Sequence, residues 1–176
     1  MPDAASPSPS ERLLGRILIV DDEADIRESL ETLLQLERYK IELAVDGGDC
    51  LRKLEKSTYD LVLLDLMMPD RSGMDVLREL RQRDLETPVI MMTAYGSVEV
   101  AVNALKAGAN DYFSKPWDND KLLVEIGNMI SKGRLERENK HLKRALKQRY
   151  SFPNIVGKSD RMHRVLDLVA QVAPSR

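Results

Sequence analysis

Asp60-Leu61-Val62-Leu63-Leu64-Asp65, followed by Met67-Met68-Pro69-Asp70, is the stretch that decides the fold. Consecutive aliphatic residues with no polar alternation describe a strand buried on both faces, the condition of a parallel sheet covered by helices. The run closes on a carboxylate, and the proline-containing loop behind it ends the strand. Asp65 is therefore placed at the rim of a sheet.

Working outward, similar runs occur at Ile17-Leu18-Ile19-Val20, at residues 41–45 and at Val89-Ile90-Met91-Met92, with a weaker one at Asp111-Tyr112-Phe113-Ser114. Between them lie stretches with helical spacing of apolar residues: Leu30, Leu33 and Leu34; Leu51 and Leu54; Val76, Leu77 and Leu80; Val98, Val102 and Leu105. Alternating strands and helices predict an α/β chain, a (βα)5 doubly wound parallel sheet. In the second run Ile41, Leu43 and Val45 alternate with Glu42 and Ala44, which suits an edge strand. Strand order 2-1-3-4-5 is consistent with that edge and with a weak fifth strand at the other. In such sheets ligands bind beyond the carboxyl ends of the strands.

Those ends carry Asp21-Asp22-Glu23, Asp65, Thr93 and Lys115. Singly, each has a plain reading: helix-capping acids, a β-branched strand end, a solvated lysine. Jointly they describe a site. Three clustered carboxylates repel unless a cation neutralises them, and an all-oxygen set suits Mg²⁺. We expect Asp22 and Asp65 in direct contact, Asp21 through water, and the Met67 backbone carbonyl as a further ligand. The Asp65 carboxylate would attack a phosphorus atom in line to give an acyl phosphate, with Lys115 and Thr93 on the phosphoryl oxygens. Tyr112 reads either as a static edge aromatic or as a ring that swings when Thr93 shifts.

The bulk numbers fit this reading. With 43% hydrophobic and 32% charged residues the chain can fill a core, and a net charge of −2 favours no particular partner. The single cysteine, Cys50, allows no internal disulfide, which fits a reducing compartment. No apolar run approaches a membrane span. Residues 1–13, rich in Pro, Ser and Ala, read as a disordered tail and not as a secretion signal. His141 and His163, like Cys50, lack metal-ligand partners at useful spacing.

After Trp117 the pattern changes. Residues 118–149 contain no proline and read as one helical stretch. Leu122, Leu123, Ile126, Met129 and Ile130 can pack on the sheet. Leu135, Asn139, Leu142 and Leu146 follow a 4-3-4 spacing, the seam of a coiled coil in a helical linker over residues 131–150. A register break is expected near Gly133, and Asn139 would favour a parallel dimer. A solvated extension is the competing reading. The Lys and Arg residues of 132–149 suit a solvated coiled-coil surface better than a DNA contact. Residues 151–154 read as a linker, and 155–173 begin a pattern too short to bury its own core.

Residues 14–130 resemble the receiver domain of a bacterial two-component response regulator. The resemblance rests on Ile19-Val20-Asp21-Asp22-Glu23, Leu64-Asp65-Leu66-Met67-Met68-Pro69, Gly73, Met92-Thr93-Ala94 and Lys115-Pro116. It implies a flavodoxin-like fold, Mg²⁺ dependence, phosphotransfer from a sensor histidine kinase to Asp65, and Thr93 with Tyr112 as a switch pair. Trp117 stands where many relatives carry phenylalanine. Residues 135–176 resemble the linker and opening of the AAA+ ATPase domain in NtrC-type sigma-54 activators, through Asn154-Ile155-Val156-Gly157-Lys158-Ser159 and Ala173-Pro174-Ser175. The stub at 151–176 would then be the start of a truncated ATPase domain. No G-x-x-x-x-G-K-[ST] is present, so ATP hydrolysis by this chain is not expected.

The resemblance further implies a bacterial, cytoplasmic phosphoacceptor that is not a turnover enzyme. It would assist its own Mg²⁺-dependent phosphorylation and dephosphorylation. Homodimers would form through the linker helix and the face made by the fourth helix, fifth strand and fifth helix, with sigma-54 RNA polymerase and DNA as partners of the full-length protein. Two alternatives stand beside it. One is a receiver with a protein-binding output only. The other is a haloacid-dehalogenase-like phosphatase, although such enzymes place a D-x-D pair after the first strand.

Overall fold

The computed structural model describes residues 13–83, 86–94 and 97–149, with side chains through Lys143. The chain divides into two units, Met1–Gly133 and Arg134–Arg176. In chain order the elements are β1 (Gly15–Val20), α1 (Ala24–Leu36), β2 (Tyr39–Ala44), α2 (Gly47–Lys56), β3 (Leu61–Asp65), α3 (Gly73–Arg83), β4 (Val89–Thr93), α4 (Val98–Lys106), β5 (Asp111–Ser114) and α5 (Asn119–Arg149). The strands form one parallel sheet in the order β2-β1-β3-β4-β5, the flavodoxin-like arrangement expected from the sequence.

Alternation along each central strand divides the core in two. Ile17, Ile19, Leu61, Leu63, Ile90 and Met92 face α1 and α5, where Leu30, Leu34, Leu122, Ile126 and Ile130 cover them. Leu18, Val20, Val62, Leu64, Val89 and Met91 face the opposite way, against Cys50 and Leu51 of α2, Val76, Leu77 and Leu80 of α3, and Ala104 of α4. A strand with both faces covered has no place for a polar residue until it reaches the rim. This is why the polar side chains Asp21, Asp65 and Thr93 cluster there, buried at the strand ends.

Local signals set the helix starts. The Asp46 carboxylate accepts the Asp49 amide at 2.6 Å and caps α2, and the Ser97 hydroxyl accepts the Val100 amide at 3.2 Å and caps α4.

Two expectations need correction. The second strand is Tyr39–Ala44, and Val45 lies beyond it, exposed, where the chain turns toward Asp46. The alternation read at 41–45 therefore started two residues late. Ile41 and Leu43 do share one face, packed on the α1 side as the alternation required, but Ala44 is buried on the α2 side, so the strand has no single drier face.

The apolar stripe of α4 does not face the sheet. Val98, Val102 and Leu105 are 82%, 40% and 47% exposed. The small residues Ala104 and Ala107, with Val100, make the contact instead.

As expected of one helical stretch, the α5 backbone runs unbroken through Gly133. What changes there is the burial. Leu122, Ile126 and Ile130 are buried, whereas Leu135 and Leu142 are exposed. The side chain of Leu146, the tail before Leu13, and the stub with its linker at 151–176 lie outside the described residues.

Candidate functional site

β1 ends at Val20, and its continuation is held by one more sheet bond, from the Asp21 amide to the Ala44 carbonyl at 3.3 Å. This delivers a fully buried Asp21 to the rim. All its oxygens are engaged. Oδ1 accepts the Glu23 amide at 3.0 Å, Oδ2 accepts Lys115 Nζ at 2.7 Å, and the main-chain oxygen accepts Arg27 NH1 at 2.6 Å. Asp22, next in sequence, is exposed.

Asp65 closes β3, next to β4 in the sheet, and is 2% exposed. Its Oδ2 accepts the Met67 amide at 3.0 Å. Its Oδ1 is buried and forms an ion pair with Lys115 Nζ at 3.0 Å.

Lys115 follows β5 directly and is joined to Pro116 by a cis peptide bond. Its amide donates to the Thr93 carbonyl at 2.7 Å, tying the ends of β4 and β5 together. Its ammonium also lies 3.5 Å from Glu23 Oε1. Thr93 itself is fully buried.

The charges explain the proton affinities. Burial raises the Asp65 carboxyl above the usual range, and the Asp21 charge adds to this, while Lys115 works against both. For Lys115, burial pulls the ammonium down, but the hydrogen-bonding and charge of Asp21 and Asp65 outweigh it and leave the group above its ordinary value. Lys115 is thus a cation set directly between two acids of the pocket.

Each of Asp21, Asp22 and Asp65 offers a carboxylate oxygen within 4.8 Å of the others. Three carboxylates this close, two of them buried, form an all-oxygen donor set that fits a hard divalent cation.

One glycine is needed at this rim. A Cβ on Gly73 would lie 2.1 Å from the Asp65 main-chain oxygen, and the Gly73 amide donates to the Leu66 carbonyl at 2.9 Å. The first turn of α3 can approach Asp65 only because that position has no side chain.

The structure therefore brings Asp21, Asp22, Asp65, Thr93 and Lys115 to one end of the sheet. Met67 joins them through its amide, and its side chain is 57% exposed. Tyr112 stands apart. It lies in β5 opposite Met91 and packs, half-buried, against the core on the α4 side, where burial raises its phenol. Cys50 is buried and His141 is exposed; His163 lies outside the described residues. Glu23, one of the three rim acids read from sequence, lies beside Lys115, while Arg27 on the Asp21 carbonyl was missed. The only available signal for Arg27 was its position in the first turn of α1.

The family model for the response regulator receiver domain matches residues 17–127. The chain belongs to this family. It is 36% identical to the regulatory protein AtoC of Escherichia coli (strain K12) over 163 residues, which cover 93% of this chain and 35% of that protein. Among solved structures, the receiver domain protein (CheY-like) from Methanospirillum hungatei superposes with a TM-score of 0.67 at 35% identity, covering 71% of this chain and 99% of the other. NtrX from Brucella abortus superposes with a TM-score of 0.70 at 29% identity, covering 92% of this chain and 35% of that one. The chain thus spans about a third of the length of its longer relatives. No helix among the described residues of this receiver is long and apolar enough to cross a membrane.

Proposed function

We propose that this receiver accepts a phosphoryl group on Asp65 from a histidine kinase and that the modification controls its self-association. The observation that carries the reading is Asp65 at the end of β3, a buried carboxylate whose Oδ1 pairs with the Lys115 ammonium at 3.0 Å and which stands beside two further carboxylates. Buried acids crowded around one ammonium, with a raised Asp65 carboxyl among them, mark a functional site.

Asp65 Oδ1 attacks the phosphorus of a phosphohistidine. The P–N bond breaks, the electron pair leaves with the imidazole, and an acyl phosphate forms on Asp65. Lys115 is already within reach and transfers its contact from the carboxylates to a phosphoryl oxygen. Thr93 supplies a hydroxyl donor to another. Asp22 and Asp65, with Asp21 through water and the Met67 carbonyl, would hold Mg²⁺. When bound, that ion supplies counter-charge to the equatorial oxygens. The product brings roughly one and a half to two negative charges to the rim. Thr93 and Lys115 are joined at the main chain, so a shift in one draws the other, with Tyr112 as the second member of the switch pair. The domain is a phosphoacceptor, not a turnover enzyme, acting in the bacterial cytoplasm.

We assign residues 14–130 to the receiver, 131–150 to a helical linker with a coiled-coil seam, and 151–176 to the start of an AAA+ ATPase domain of the sigma-54 activator type. Leu135 and Leu142 are exposed at heptad spacing, which supports the seam. Sigma-54 RNA polymerase and DNA would be partners of the longer protein.

The test is incubation with acetyl phosphate and Mg²⁺, and separately with beryllium fluoride and Mg²⁺, reading intact mass and oligomeric state. One acid-stable, single-site phosphate on Asp65→Asn would show that the acceptor lies elsewhere.

A further inference from the structure

Arg27 ends the first turn of α1, half-buried, and its guanidinium reaches back along the helix. NH1 donates to the main-chain oxygen of Asp21 at 2.6 Å, while the Arg27 amide donates to the Glu23 carbonyl at 3.2 Å. Both ends of the same residue therefore grip the turn Asp21–Glu23 between β1 and α1. The turn needs such a grip. Asp21 lies past the last β1 residue, so its carbonyl has left the ladder, and Asp21 is fully buried. A buried carbonyl without a partner is costly, and a charged donor is a strong one.

We infer that Arg27 is a positioning residue for the cation site. By fixing the Asp21 carbonyl it sets the direction in which the Asp21 and Asp22 side chains leave the backbone, toward Asp65. The inference rests on the metal reading proposed above. It concerns geometry at one step removed from the ligands, where outer partners characteristically hold first contacts in place.

Two effects of Arg27 on a bound cation have opposite signs, which makes the inference sharp. A guanidinium near the acidic cluster repels a divalent cation through space, so deleting it by charge alone would tighten binding. Deleting a clamp lets the two carboxylates splay and weakens binding. The sign of the change decides between them.

The experiment is calorimetric titration of the chain with MgCl2, without any phosphodonor, on wild type, Arg27→Met, Arg27→Lys and Asp22→Asn, with thermal midpoints recorded in parallel. Methionine keeps the apolar stem and removes the donor; lysine keeps the charge and one donor. Arg27→Met is expected to raise the Mg²⁺ dissociation constant about tenfold while the thermal midpoint stays close to wild type. Arg27→Lys should recover part of the loss. Affinity in Arg27→Met equal to or tighter than wild type overturns the inference while leaving the metal reading intact, provided Asp22→Asn has lost binding. Should Arg27→Met fail to fold, Arg27→Lys decides alone, with an unchanged affinity counting against the clamp. A wild-type chain that takes up no Mg²⁺ overturns the metal reading and this inference with it.

Discussion

A Cβ on Gly73 would stand 2.1 Å from the main-chain oxygen of Asp65. That separation is far inside van der Waals contact, and the atom approached is backbone, which cannot swing away. Gly73→Ala must push the start of α3 off the end of β3. Overpacking of this kind costs about 1–3 kcal/mol. We expect urea denaturation to show that loss, and phosphorylation by acetyl phosphate to slow by more than the fraction of unfolded protein explains. A variant of wild-type stability would mean that α3 can retreat freely from Asp65.

Lys115 fills the pocket with positive charge, 2.7 Å from Asp21 Oδ2 and 3.0 Å from Asp65 Oδ1. An incoming divalent cation meets this ammonium as a competitor. Lys115→Met is therefore expected to bind Mg²⁺ several-fold more tightly than wild type. The same variant should respond poorly to phosphorylation, having lost the group that follows the phosphoryl oxygen. Weaker Mg²⁺ binding in Lys115→Met would show that the lysine organises the acids more than it opposes the metal.

At the opposite end of the sheet, Glu42 accepts from both Arg16 and the Tyr59 hydroxyl, and the Arg16 guanidinium lies 4.7 Å from the Tyr59 ring centre. The Tyr59 and Arg16 hydrogen bonds hold the Glu42 carboxyl below its ordinary 4.5. A lowered acid contributes stability above its ordinary value and loses it as pH falls through the folded value. Burial, followed by the bond to Glu42, pushes the Tyr59 phenol up to about 12 from 10.0. A raised group contributes below its ordinary value, so this share disappears between about pH 10 and 12. Glu42→Gln is expected to lose about 0.5–1 kcal/mol at neutral pH, as for partly exposed pairs, and less in acid, where the wild type has already surrendered the interaction. Urea denaturation curves at several pH values check this, and a parallel offset at every pH would refute it.

Cys50 is fully buried on α2, and burial, with the nearby Asp49 charge second, pushes its thiol up to about 12. Only the thiolate reacts. A disulfide-exchange reagent at pH 8 should leave the native chain untouched and label it stoichiometrically in denaturant. Native labelling at the rate of a free thiol would mean that α2 opens readily.

Legibility followed burial. β3 and β4 could be read from sequence because both faces are covered and the residues are uniformly apolar. Their polar ends stood out for the same reason, so Asp65 and Thr93 could be picked without a structure. β2 was harder, because an edge strand carries mixed residues and its start at Tyr39 looks like a turn. The clamp by Arg27 was invisible, since an arginine in an acidic first helical turn reads as a solvated charge until its partner, a main-chain oxygen, is seen. The stripe on α4 misled because spacing reveals that a helix has an apolar face but not what covers it.

That stripe carries the last prediction. Val98, Val102 and Leu105 lie on one side of α4 and are all substantially exposed, next to β5, the uncovered edge of the sheet. Fully burying an aliphatic side chain of this size is worth about 1.5–3 kcal/mol, so Val98 leaves most of that unused in the single chain and Val102 and Leu105 about half. The N-terminal end of α4 follows β4 and Thr93, the residue whose carbonyl is tied to Lys115. A phosphoryl group that draws Thr93 inward would therefore reposition this stripe, and a second copy of the chain could cover it. Val102→Glu should leave monomer stability within about 0.5 kcal/mol of wild type, as for exposed sites. In beryllium fluoride and Mg²⁺ it should stay monomeric at concentrations where wild type associates, as read by sedimentation velocity. If the variant associates as strongly as wild type, α4 is not the contact, and the exposed Leu135 and Leu142 of α5 become the surface to alter next.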